Sequence, residues 1–107
     1  MPADLDIGVV EGPDATVISV GGEIDMSTCE ELRSAVAPHA GRGAAIALDL
    51  AGVTFIDSSA IRVMIETRAS AIAAGGSFVV RNPSDPVRRV LTVAGVLDLF
   101  TGSDAAA

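Results

Sequence analysis

The sequence predicts one α/β domain: a mixed sheet of four to five strands, largely parallel with an antiparallel edge hairpin, and helices packed mainly on one side. Three observations predict it. First, the apolar-rich run Leu5–Val10 and the β-rich run Ala15–Val20 are separated only by Glu11-Gly12-Pro13-Asp14. Pro presets φ and Gly tolerates positive φ, so this turn favours an antiparallel pair. Second, short apolar runs then alternate with segments of helical periodicity, in the order β-β-α-β-α-β-α plus a short final element. Strands separated by helices pair in parallel. Third, the chain has 107 residues, half of them hydrophobic, which suits one core and one domain spanning residues 1–107.

Each element has its own justification. Gly21-Gly22 closes the second strand or bulges it. Asp25, Ser27 and Thr28 are all suitable N-caps for a first helix, and Ser27 with Glu30 has capping-box spacing. Cys29, Leu32 and Val36 form one helical stripe, and Pro38 and Gly41 are expected to end that helix near Ala37. Ala44–Leu50 reads as a strand buried on both faces, followed by a bend at Ala51–Ile56. A long helix is expected from Ser58 to Ala74, with Ile61, Ile65, Ala69 and Ile72 on its buried face, Met64 beside them, and Arg62, Glu66, Thr67 and Ser70 facing elsewhere. Gly75-Gly76 ends it, and Ser77–Val80 is the next strand. Asn82-Pro83-Ser84-Asp85 leads into a third helix, Ser84–Val93, that buries Val87, Val90, Leu91 and Ala94 and leaves Arg88 and Arg89 outside. Gly95 breaks it. Val96–Phe100 fits a helical turn or a strand, and Thr101–Ala107 reads as a truncated or frayed final helix.

Composition narrows the function. The net charge is −7 and every one of the seven basic residues is Arg. An acidic chain is poorly suited to neutralising phosphates, so no nucleic-acid partner is expected. The absence of lysine removes Schiff-base chemistry and the lysine-bearing phosphate loop. A single cysteine makes neither an internal disulfide nor a multi-cysteine zinc site. Cys29 reads as core packing. No signal peptide and no apolar stretch near the ~20 residues of a membrane span are visible, so a cytoplasmic protein without a membrane partner is expected.

Catalysis finds little support. His39 is the only histidine and sits at a helix end, and Ser58 lies outside a G-x-S-x-G elbow. Glu23, Asp25 and Asp57 do not specify a metal, and no G-x-G-x-x-G follows a strand. No catalytic residue, metal or cofactor is expected. The most informative segment is Phe55-Ile56-Asp57-Ser58-Ser59-Ala60-Ile61-Arg62, which puts two hydroxyls at the start of a long helix directly after a buried strand. Asp57 or Ser58 caps the helix. In an open parallel sheet this position lies at the carboxyl ends of the strands, where binding sites gather. The free N–H groups and positive dipole end there tolerate a phosphate.

Thr54-Phe55-Ile56-Asp57-Ser58-Ser59-Ala60 resembles the phosphorylation motif of bacterial anti-sigma factor antagonists, the STAS domains. Gly22-Glu23-Ile24-Asp25 resembles their G-E-(I/L)-D signature. Leu48-Asp49-Leu50-Ala51-Gly52-Val53, Gly75-Gly76 with its following strand, and Val93-Ala94-Gly95-Val96 resemble three further elements in the family's order, from about Leu5 to Phe100. The resemblance implies a STAS-type sheet and a switch instead of an enzyme. It implies an unphosphorylated form that binds an anti-sigma factor, usually a GHKL-type serine kinase, and so frees a sigma factor. Phosphorylation of Ser58 ends the binding, and a metal-dependent serine phosphatase resets it. The implied partner face comprises Asp25, Ser27, Thr28, Thr54, Asp57, Ser58, Ser59 and Arg62. A STAS scaffold or binding subunit of a stressosome-like or lipid-transport complex is the alternative. Ala60 stands where the family often has Gly, and is expected to add a methyl where a partner backbone approaches.

Overall fold

Residues 5–102 are described by a computed structural model. Gly12 N–H donates to Ala15 O at 2.9 Å and closes a hairpin between β1 (Asp6–Glu11) and β2 (Thr16–Ile24). The pair is antiparallel, with Ile7 opposite Val20 and Val9 opposite Ile18. The remaining elements are α1 (Cys29–Gly41), β3 (Ala45–Ile56), α2 (Ser58–Ala73), β4 (Ser77–Arg81), α3 (Asp85–Val93) and α4 (Leu97–Thr101). The four strands lie in the order β1-β2-β3-β4, and β3 runs parallel to both neighbours. The mixed, largely parallel sheet with an antiparallel edge is as the sequence predicts. Its strand count is four, and the segment after Gly95 supplies a helical turn, α4. Of the expected tail, residues 103–107 lie outside the described residues.

Both long strands exceed their sequence expectations, for one shared reason. β2 continues through Gly21-Gly22 to Ile24, and β3 continues through the expected bend to Ile56. Their pairing shifts register between Ser19 and Gly21 and again between Gly22 and Glu23. At each shift β3 carries one residue more than β2, and Gly22 opposite adopts φ 107°, open to glycine at little cost, so β2 stays in the sheet. The glycine pair therefore neither closes β2 nor adds a residue to it; the extra residues of both bulges lie on β3, opposite the pair.

The core gathers on one face of the sheet. Ile18, Val20, Ile24, Leu48, Leu50, Phe78 and Val80 are buried, and they meet Leu32 and Val36 of α1, Val63 and Met64 of α2, and Val87 and Leu91 of α3 in one cluster. Burial of β3 on both faces holds only at Ile46–Leu48; beyond Asp49 its pattern is one-sided. Phe100 of α4 is fully buried, edge-to-face on Phe78 with ring centroids 6.0 Å apart. Gly43 and Gly76 let the loops before β3 and β4 cross in contact. A side chain on Gly76 would run into Ala44 O and the Gly43 carbonyl.

Three helix expectations need correction. Pro38 lies inside α1, which runs on to Gly41. The proline removes one backbone donor, but Ala40 behind it is fully buried, and this packing holds the last turn. α2 is rotated from the expected face: it buries Ala60, Ile61, Val63, Met64, Thr67 and Ala71, while Ile65 is 45 % exposed and Ile72 49 %. Thr67 tolerates burial because its hydroxyl donates to Val63 O at 2.9 Å. On α3, Val87 and Leu91 are buried, Val90 is half-buried and Ala94 is exposed.

The rotation of α2 is directly testable. Met64→Ala should lower stability by about 2–5 kcal/mol, whereas Ile65→Ala should cost less than about 1 kcal/mol. Urea denaturation of both variants checks this. Equal losses would restore the face read from periodicity.

Candidate functional site

Two turns define the site, and the sheet puts them side by side. Ile24 and Ile56 are paired residues at the ends of β2 and β3. The next residue in each strand is an aspartate, Asp25 in one turn and Asp57 in the other. Each aspartate organises the start of the helix that follows.

Asp57 is the N-cap of α2. Its Oδ1 accepts from Ser59 N–H at 2.9 Å and from Ser59 Oγ–H at 2.5 Å. This engages one of the helix's unpaired donors together with the Ser59 hydroxyl. Ser58, one residue earlier, is exposed, and its hydroxyl makes no hydrogen bond among the described residues. The two neighbouring serines therefore differ in chemistry. Ser59 is half-buried and engaged; Ser58 presents a free nucleophilic oxygen to solvent.

Asp25 performs the same task one strand over. Its Oδ1 accepts from Ser27 N–H at 2.9 Å, Ser27 Oγ–H at 2.7 Å and Thr28 N–H at 3.2 Å. The Ser27 hydroxyl first, then the Ser27 backbone N–H, holds the Asp25 carboxyl below the ordinary aspartate value of 3.8. Thr28 occupies the N-cap position of α1 without a side-chain cap bond. The expected Ser27–Glu30 capping box is absent, because Asp25 already takes the Ser27 hydroxyl. Thr28 is 6 % exposed, and its hydroxyl donates to Glu23 O at 2.8 Å while accepting from Asp25 N–H at 3.0 Å. It braces the turn from beneath.

Between these helix starts lies a groove of about 430 Å³, lined by Met26, Cys29, Glu30, Arg33, Asp57, Ser58, Ser59, Arg62 and Val63. Four of the residues singled out from the sequence, Asp57, Ser58, Ser59 and Arg62, share it. Asp25, Ser27 and Thr28 form the adjoining turn that delivers Met26 into it. Thr54 stands on β3, where its hydroxyl donates to Gly22 O at 3.4 Å, and is not part of the lining. Met26 and Arg33 escaped the sequence reading. Met26 is 82 % exposed, a large apolar residue between two polar turn residues, and that placement was the available signal. Arg33 bonds Glu30 on its own helix at 3.1 Å and Glu66 on α2, a pairing across 33 positions that no local pattern reveals. Glu66 first, then Glu30, raises the Arg33 guanidinium above its ordinary value.

Two further expectations resolve here. Ala60 is fully buried, so its methyl packs into the core and does not meet an approaching partner. Cys29 is at the edge of burial, with Sγ 3.6 Å from Met26 O, and is both core and groove floor. Among the described residues, no group of three or more His, Cys, Asp or Glu is placed to hold a metal, and no helix is long and apolar enough to cross a membrane.

The four-stranded mixed sheet thus carries an exposed serine at the start of its second helix. The chain belongs to the STAS-domain family: the family model described as "Mlab, STAS domain" matches residues 7–101. It is similar to the anti-sigma-B factor antagonist of Bacillus subtilis, 26 % identical over 97 residues that cover 91 % of this chain and 89 % of the relative. It is also similar to the crystal structure of an anti-sigma factor antagonist from Mycobacterium paratuberculosis, with 28 % identity, a TM-score of 0.75, and 95 % and 91 % of the two chains covered. The unphosphorylated form of the anti-sigma factor antagonist SpoIIAA has the same fold, at 22 % identity and a TM-score of 0.74 over 90 % of this chain and 85 % of that one.

Two measurements test the turn chemistry. Asp57→Ala should cost about 1 kcal/mol, while Ser58→Ala should stay within about 0.5 kcal/mol of the parent, both by urea denaturation. A carboxyl NMR titration should place Asp25 below its ordinary value, and Ser27→Ala should return it upward. The folded state favours the ionised form, so the turn's contribution to stability is full above the ordinary value. It is lost as pH falls through the lowered one. A Ser27→Ala titration matching the parent would refute the assigned cause.

Proposed function

We propose that this protein is an anti-sigma factor antagonist in which Ser58 switches partner binding. The observation that carries the reading is the inequality of the two serines: Ser59 is held by Asp57 and Ser58 is free and exposed. In this reading a GHKL-type serine kinase is both the anti-sigma factor and the modifying enzyme. The unphosphorylated domain docks on it and releases a sigma factor in the cytoplasm. Ser58 Oγ then attacks the γ-phosphorus of ATP, the hydroxyl proton leaves to the kinase's base, and ADP departs. A serine phosphatase hydrolyses the phosphoester and restores the binding form.

The physical argument has two parts. A phosphate adds about −1.5 to −2 charges at pH 7. On the free domain it sits at a helix start in water, which preserves folding. In a desolvated contact beside Asp57 it weakens association, and a loss of about 2.7 kcal/mol changes the affinity by ~100-fold. The partner face is the rim of the groove: Asp57, Ser58, Ser59 and Arg62, with Asp25 and Ser27 on the adjoining turn, Thr54 at the edge and Thr28 bracing it. The described helices offer no membrane span, and the net charge of −7 favours a protein partner over nucleic acid.

Ser58→Ala should bind the anti-sigma kinase and resist phosphorylation. Ser58→Asp should bind at least ~10-fold more weakly, about 1.4 kcal/mol, and Ser59→Ala should still be phosphorylated. Titration calorimetry with the kinase and mass spectrometry after incubation with ATP check these outcomes. Phosphate on Ser59, or capture of a transporter ATPase in place of a kinase, would overturn the proposal.

A further inference from the structure

Ser58 borders two grooves. The first is the groove between the starts of α1 and α2, where charged and hydroxyl groups are mixed with Met26, Cys29 and Val63. The second, of about 360 Å³, runs between α2 and α3 and is lined by Ser58, Ile61, Arg89, Val90, Val93 and Ala94. It is apolar apart from Ser58 and Arg89, and Val93 at its wall is 85 % exposed. Beside Ser58, each groove thus holds one arginine that forms no ion pair among the described residues. Arg62 is four residues along the same helix, where side chains are neighbours. Arg89, on α3, lines the second groove together with Ser58. Both are exposed, and neither forms an ion pair among the described residues. Arg33, by contrast, is held by Glu30 and Glu66.

We propose that Arg62 and Arg89 form an intramolecular clamp for a phosphate on Ser58, and that the clamp lays the Arg89 side chain over the apolar groove between α2 and α3. This rests on the reading of Ser58 as the modified residue. Guanidinium groups match phosphate oxygens in paired hydrogen bonds, stronger than neutral ones. The charged groups facing the site are Asp57 and Arg62 on its own segment, Glu30 and Arg33 from α1, and Arg89 from α3. Glu30 and Arg33 bond each other, and Asp57 faces the Ser59 donors. That leaves Arg62 and Arg89 as the free cations of opposite sides. Modification then acts twice: it adds repulsive charge to the partner face and covers Ile61 and Val93 from within.

The test needs no kinase. Phosphoserine is placed at position 58 during synthesis of the full chain, and the phosphate is titrated by phosphorus NMR. A free phosphoserine titrates near pH 6. The clamp favours the dianion and lowers that midpoint, and Arg89→Gln should raise it again by roughly 0.5 pH unit, about a threefold change in proton affinity. Arg62→Gln should do the same, and Arg89→Lys should recover part of the loss. Methyl signals of Val90 and Val93 should move on phosphorylation in the parent and stay in place in Arg89→Gln. Thermal melting confirms that each variant is folded. A midpoint unchanged by Arg89→Gln overturns the clamp, and one unchanged by Arg62→Gln removes that half of it. Neither result touches kinase binding, which the Ser58→Asp titration reads separately.

Discussion

The parallel pairing of β2 with β3 is the constraint from which the site follows. Because Ile24 and Ile56 lie opposite each other, both strands end at the same level of the sheet. Each chain then turns into a helix on the core side, so two helix starts and their aspartates are brought together. The bulges in β3 allow this coincidence, since β3 carries two more residues than β2 between the Ser19–Asp49 and Ile24–Ile56 pairs. A slip of one residue would turn every side chain of β2 to the opposite face and expose Ile18, Val20 and Ile24. The apolar core thus fixes the position of a polar site that contributes little to the core itself.

Two aspartates make that site rigid before any partner arrives. Asp25 and Asp57 each gather N–H and hydroxyl donors from the next residues in the chain. Arg33 then ties α1 to α2 through Glu66. As an exposed ion pair this bridge adds little stability, but it orders the groove wall. A surface ordered in advance loses little conformational freedom on docking, which leaves more of the contact energy for affinity.

Likeness to anti-sigma factor antagonists spans nearly the whole chain at modest identity. In this chain the fold follows from apolar strands, glycine turns and a polar helix start. Around the two grooves, Met26, Arg89 and Val93 are exposed and do not belong to the core. Asp57 and Thr28, by contrast, hold the turns.

The sequence by itself determined the element order, the hairpin, the largely parallel sheet and the position of Ser58 at a helix start. These depend on local chemistry: a Gly-Pro turn, apolar periodicity, and an aspartate directly before two serines. It did not determine how far the strands ran, because the glycines that signal a bend also permit a bulge, and only pairing with a neighbour selects between them. Nor did it orient α2. Ile65 and Ile72 look like better core residues on paper than Ala60 and Thr67, yet α2 must face the sheet and α1 together, and small residues allow that approach. The groove was likewise a tertiary outcome. Arg33 and Glu66 are 33 positions apart, and Arg62 and Arg89 flank one hydroxyl only because the sheet brings their helices to its two sides.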